Sequence, residues 1–104
     1  MNYKYYIMKD KEVIATDNLY DWAAFLEHED RKVARTEVTK DITVSTVFLG
    51  IDHNFAKNGP PIVFETMVFG GKLDGRMERC ATYLEAENMH TWMVQEVKQA
   101  EGIE

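Results

Sequence analysis

Residues 41–51 of the chain read DITVSTVFLGI, a stretch rich in β-branched side chains. Such side chains favour extended backbone, so this segment is predicted to be the principal strand of the fold. The run IVFETMVF at residues 62–69 is predicted to be the next strand. Between them, residues 58–61 read NGPP, a turn signal that neither a helix nor a central strand accommodates. We therefore expect two separate strands joined by a long loop over residues 52–61.

Four shorter segments also show strand patterns. Residues 2–8 are rich in tyrosine, and residues 13–16 follow them after a polar turn. Residues 31–38 alternate and carry the charges typical of a sheet edge. Residues 76–81 follow glycine-containing turns and are predicted to form a short polar edge strand.

Two segments show the periodicity and the capping residues of helices. Asp17 or Asn18 is predicted to cap a first helix that ends near Glu29. Its apolar face follows the i, i+3, i+4, i+7 spacing and comprises Leu19, Trp22, Ala23 and Leu26. Residues 82–85 fit a capping box and begin a second helix, which Gly102 ends. Its apolar face comprises Tyr83, Ala86, His90, Met93, Val94 and Val97.

The predicted order is β-β-α-β-β-β-β-α within a single α+β domain over residues 1–104. Short connections between strands favour an antiparallel sheet of about five to six strands, with both helices on one face. A length of 104 residues leaves no room for a second core.

Composition excludes several function classes. The formal charge is −6, from 12 basic and 18 acidic side chains, and no basic stripe is visible, so direct binding to nucleic acid is disfavoured. No stretch approaches the ~20 apolar residues of a membrane helix, and the first residues lack a secretion signal. Cys80 is the only cysteine, as is typical of a reducing compartment. We therefore predict a cytoplasmic protein.

The two principal strands are apolar on both faces. Two helices on one face of the sheet would leave the apolar side chains of the other face uncovered. An antiparallel sheet open to water usually alternates between apolar and polar residues. One explanation is that the sheet curls strongly or that the 52–61 loop folds over it. The other is an interface with a second copy or with another protein. The candidate interface residues are Val47, Leu49, Val63, Met67 and Phe69.

His53 is the position most suggestive of chemistry, because it follows the strongest strand where the chain enters a loop. A histidine beside Asp52 and Asn54 could bind a ligand or carry a proton, or the three residues could simply anchor the loop. The candidate ligand-binding residues are Asp52, His53, Asn54, Phe55, Glu65 and Phe69.

Glu65 and His90 have structural interpretations that compete with chemical ones. Glu65 is expected to pair with Arg76, Arg79 or a backbone donor, and His90 to be a hydrogen-bonded core residue. If His53, Glu65 and His90 met in space, they would form a three-ligand metal site. The spacing matches no metal motif, so neither a metal nor a cofactor is predicted.

The blocks VSTVFLGIDHNF at residues 44–55 and PPIVFETMVFGG at residues 60–71, with TYLEA at residues 82–86, resemble a group of small bacteriophage and prophage proteins. The resemblance extends over about residues 18–98. It implies a viral origin and supplies no mechanism. Small acidic phage proteins outside the virion often act on host machinery, and some block host defence systems.

These observations favour a non-enzymatic phage accessory protein that acts in the host cytoplasm and binds a host protein, with a homodimer expected. One alternative is a small-ligand binder that captures a nucleotide-like signal near His53. Another is a small hydrolase in which His53 works with Asp52 or Glu65.

Overall fold

A computed structural model describes residues 4–56 and 58–103. The α+β class and the predicted order of elements are confirmed. The strands are β1 (Tyr5–Lys9), β2 (Glu12–Thr16), β3 (Lys32–Thr39), β4 (Ile42–Phe48), β5 (Phe64–Phe69) and β6 (Met77–Cys80). The helices are α1 (Leu19–His28) and α2 (Tyr83–Glu101). Asn2 and Tyr3, which the predicted first strand includes, lie outside the described residues. Neither described helix is long and apolar enough to cross a bilayer.

The strands form two antiparallel sheets instead of the single sheet expected. β1 and β2 make a hairpin, and β3-β4-β5-β6 make the main sheet in that order. The predicted strand over residues 41–51 is interrupted because Gly50 has a positive φ of 78°. Trp22 and Leu26 pack against Gly50 so closely that a side chain there would press on both.

Residues 49–53, the linking segment, hydrogen-bond to both parts of the molecule. The amide of Tyr6 donates to the Gly50 carbonyl over 2.9 Å, so the hairpin continues onto this segment. On its other side the amide of Leu49 donates to the Val63 carbonyl over 2.7 Å. The linking segment therefore joins the hairpin to the main sheet through backbone hydrogen bonds.

The main sheet buries one face under α2. Side chains alternate along a strand, so every second residue of β4 and β5 faces the helix. These residues are Ile42, Val44, Thr46, Phe48, Phe64, Thr66 and Val68, all buried. From α2 the buried residues are Ala86, His90, Met93, Val94 and Val97, all on the predicted face. The predicted capping box is confirmed, since Thr82 accepts from the Glu85 amide and Glu85 accepts from the Thr82 amide.

Helix α1 packs mainly on the hairpin, and not beside α2 on the covered face of the main sheet as expected. Asn18 is its N-cap and accepts hydrogen bonds from the amides of Tyr20 and Asp21. Its Phe25 ring packs edge-on against Phe48, with 5.7 Å between ring centroids. Leu19, predicted on the apolar face, is 53% exposed, and α1 has no fully buried residue. The hairpin is too small to cover a full helical face.

A chain of polar side chains crosses the core beneath α2. His90 Nε2 lies 2.8 Å from the Thr36 hydroxyl, and His90 Nδ1 lies 2.7 Å from the Thr46 hydroxyl. The Thr46 hydroxyl also bonds to that of Thr66. This confirms His90 as a hydrogen-bonded core residue. Burial in this apolar layer lowers the pKa of His90, because the charged imidazolium loses its hydration.

The lowered pKa of His90 predicts that folding stability falls in mild acid. As the pH drops below about 6.5, the unfolded chain takes up a proton on this histidine before the folded chain does. The free energy of unfolding should then fall by at most about 1.4 kcal/mol per pH unit, and level off once the folded protein is protonated. Urea denaturation of wild type and His90→Gln between pH 7.5 and 5.5 measures this loss.

The matched control is His28→Gln, because the His28 side chain is 71% exposed. It should keep the wild-type pH dependence, whereas His90→Gln should flatten it. Equal slopes for wild type and His90→Gln would show that His90 is not the titrating group.

Candidate functional site

The main sheet has an open face, opposite α2, that no helix of the described residues covers. Backbone pairing arranges its side chains in three rows across the strands. The rows are Lys32, Val47, Glu65 and Arg79; then Arg35, Ser45, Met67 and Met77; then Glu37, Thr43 and Phe69.

An apolar strip, formed by Met67, Phe69 and Met77, occupies one half of the open face. Phe69 is 51% exposed and Met77 is 38% exposed. Met67 lies beside both in the sheet, since it pairs with Met77 and precedes Phe69 by two residues. Clustered exposed apolar side chains of this kind mark interaction surfaces more often than scattered ones do.

Charged side chains border the strip. Glu65 and Arg79 form an ion pair with 3.1 Å between Oε2 and Nε, as the structural interpretation of Glu65 predicted. On β3, Lys32, Arg35 and Glu37 are exposed, and none of them makes an ion pair with another described residue. The open face therefore carries three cations and two carboxylates, in a chain that has 12 and 18 overall.

A cleft of about 350 Å³ opens beside the first row of the open face. It lies where α1 ends and β3 begins, and it is lined by Leu26, Glu29, Asp30, Arg31, Lys32 and Val47. Leu26 and Val47 provide apolar contact area, while the remaining residues provide charges of both signs. The cleft extends the open face toward α1.

The predicted interface residues divide between the open face and the interior. Val47, Met67 and Phe69 lie on the open face, and Leu49 is half-buried in the linking segment. Val63 is fully buried, so its assignment to an interface is wrong. It precedes β5, its amide donates to the Cys80 carbonyl, and its side chain belongs to the core cluster of Phe48, Phe64 and Ala86.

Met77 and the charged residues of β3 were not predicted to lie beside the apolar strip. Alternation along residues 76–81 assigns the Met77 side chain to one face of its strand, but only the pairing of β6 with β5 places it beside Met67. Likewise, the pairing of Lys32 with Val47 depends on a β-bulge between Lys32 and Ala34 that the sequence does not predict.

The loop after the linking segment is held by its own polar side chains. Asp52 Oδ1 accepts from the amides of Asn54, over 2.7 Å, and of Ile62, over 2.9 Å. The Asn54 side-chain amide donates to the Pro60 carbonyl over 2.8 Å. His53 Nδ1 lies 2.9 Å from the Ile51 carbonyl. These contacts match the interpretation of Asp52, His53 and Asn54 as loop anchors.

The candidate ligand-binding residues do not converge. Phe55 is 88% exposed at the loop, and Phe69 lies at the far end of β5 from that loop. Neither Asp52 nor Glu65 hydrogen-bonds to His53 among the residues that the structure describes. The catalytic pairing considered for a hydrolase is therefore not formed in this structure.

His90 and Glu65 lie on opposite faces of the main sheet, as their contacts with Thr46 and Arg79 show. The described part of the chain contains no group of three His, Cys, Asp or Glu side chains able to hold a metal ion. Burial, assisted by the nearby Glu85 carboxylate, raises the pKa of the Cys80 thiol to about 11. This thiol is therefore protonated at neutral pH and a poor nucleophile.

No family model matches the chain, and no curated protein or solved structure shows significant similarity to it.

Proposed function

We propose that this chain is a non-enzymatic accessory protein whose open face binds and modulates another protein in the cytoplasm. The observation that carries the proposal is the exposed apolar strip on the face of the main sheet that no described helix covers. The resemblance to phage-encoded proteins makes a host protein, such as a component of a defence system, the expected class of partner.

The charges of the open face indicate the chemistry of that partner. Removing its three cations and two carboxylates from the totals leaves 9 basic and 16 acidic side chains elsewhere, so this face is positive relative to the rest of the chain. Lys32 lies in the first row without an ion-pair partner among the described residues. The fitting partner presents apolar side chains to the strip and a carboxylate to Lys32.

The direct test compares Phe69→Asp with Phe55→Asp. Both residues are exposed phenylalanines, but only Phe69 lies on the open face. A tagged wild-type chain captures candidate proteins from host lysate, mass spectrometry identifies them, and calorimetry with the purified partner gives the affinity. Loss of a central aromatic contact should weaken binding by about 30-fold or more in Phe69→Asp.

Phe55→Asp should bind with the wild-type affinity, and Lys32→Glu should weaken binding more at low salt than at high salt. A purified partner that binds wild type and Phe69→Asp equally would overturn the proposal. So would a nucleotide that raises the melting temperature of wild type when no protein partner binds the open face.

A further inference from the structure

Strand β3 is an unpaired edge of the main sheet. It stands at one end of the strand order and has eight residues, whereas the other edge strand, β6, has four. Helix α2 packs on its face, and no described strand pairs with its outer side. The backbone N–H and C=O groups on such a side can accept another strand.

The exposed charges of β3 alternate in a way that suits a second copy of the same strand. Arg35 and Glu37 are two residues apart, so both side chains lie on the open face. Both are exposed, and neither makes an ion pair with another described residue. Two copies related by a two-fold axis pair antiparallel. A residue that lies n positions before the axis then pairs with the residue n positions after the axis in the other copy.

Of the registers centred on residues 35 to 37, only the one centred on Thr36 matches the charges of Arg35 and Glu37. Centred on Thr36, it sets Arg35 of each copy opposite Glu37 of the other, and it sets Ala34 opposite Val38 on the helix-covered side. Centring on Arg35 or on Glu37 instead puts identical charges opposite each other, which is destabilising. Shifting this pairing by one residue would place side chains of the open face of one copy opposite side chains of the helix-covered face of the other.

We propose that β3 pairs with β3 of a second copy in the register centred on Thr36. The four strands of each copy then form one sheet of eight, and the two open faces become one continuous surface. The bulges at Lys32/Ala34 and at Glu37/Thr39 lie toward the two ends of β3 and limit the regular pairing to its central residues. This inference concerns the sheet edge and is independent of partner binding by the open face.

Charge exchange tests the register. Sedimentation equilibrium at low salt should show a dimer for wild type. Arg35→Glu and Glu37→Arg should each weaken dimerisation by about tenfold or more, because each change sets like charges opposite each other at two places. The double variant Arg35→Glu/Glu37→Arg should recover dimerisation, because the side chains at positions 35 and 37 that face each other across the two copies again carry charges of unlike sign. Glu78→Arg, an exposed charge on β6, should dimerise like wild type.

A wild-type chain that stays monomeric at 200 µM would overturn the proposal, and so would a double variant that dimerises no better than the single variants. Circular dichroism establishes that each variant is folded, and Arg35→Gln replaces Arg35→Glu if the latter unfolds, with a smaller loss expected. The Phe69→Asp variant should dimerise normally, so failure of this proposal is distinguishable from failure of partner binding.

Discussion

Replacing Phe48 by alanine is expected to lower the free energy of unfolding by about 3–5 kcal/mol, the range for a fully buried aromatic side chain. Phe48 is completely buried, and its ring packs against Phe64, 5.3 Å away between centroids, and against Phe25 of α1. It therefore joins the main sheet to the unit formed by the hairpin and α1. Since domains are stable by about 5–15 kcal/mol, this loss is a large fraction of the total. Urea denaturation monitored by circular dichroism measures it.

The matched control is Phe55→Ala, which removes the same atoms from a side chain that is 88% exposed. Its effect should stay within about 0.5 kcal/mol. A cost below about 1 kcal/mol for Phe48→Ala would contradict the assignment of this residue to the core.

Gly70→Ala is expected to cost about 2–4 kcal/mol, because it combines backbone strain with a collision. Gly70 has φ of 92°, in the region that side chains disfavour. An added Cβ would also lie well inside contact distance of the Asp41 carbonyl oxygen, which belongs to the backbone and cannot move aside cheaply. Differential scanning calorimetry and urea denaturation should both show the loss.

Gly75→Ala separates the two causes. Gly75 has a similar φ of 84°, but no atom lies within 4 Å of an added Cβ. Its cost should be about 1 kcal/mol, the penalty of a left-handed backbone alone. Equal losses at both positions would mean that the close approach to Asp41 contributes nothing.

The local signals of the sequence were sufficient for most of the architecture. The capping box at Thr82 and the cap at Asn18 act within one helical turn, so they can be identified from neighbouring residues. The β-branched side chains of residues 42–48 likewise favour extended backbone within the segment itself. These features account for both helices and for the principal strand.

Features that depend on distant residues could not be predicted. The strand is interrupted at Gly50, against which Trp22 and Leu26 of α1 pack, and Val63 belongs to a buried cluster that includes residues from distant parts of the chain. A pattern of apolar residues also cannot show which residues of neighbouring strands lie side by side. For this reason the sequence placed Met67 and Phe69 at an interface but could not place Met77 beside them.

The contrast between the two helices implies that the molecule does not open uniformly. Helix α2 buries five residues, whereas α1 buries none completely. The free energy of local unfolding follows the apolar contacts that opening would break, so the hairpin and α1 form the less protected cooperative unit. Opening of this unit would remove Tyr6, Met8, Val13 and Phe25 from the cluster around Phe48 and Phe64, and would uncover these two rings while the four-stranded sheet and α2 stay folded. Partially unfolded molecules of this kind, with an aromatic cluster uncovered, are the species most exposed to proteases and to aggregation.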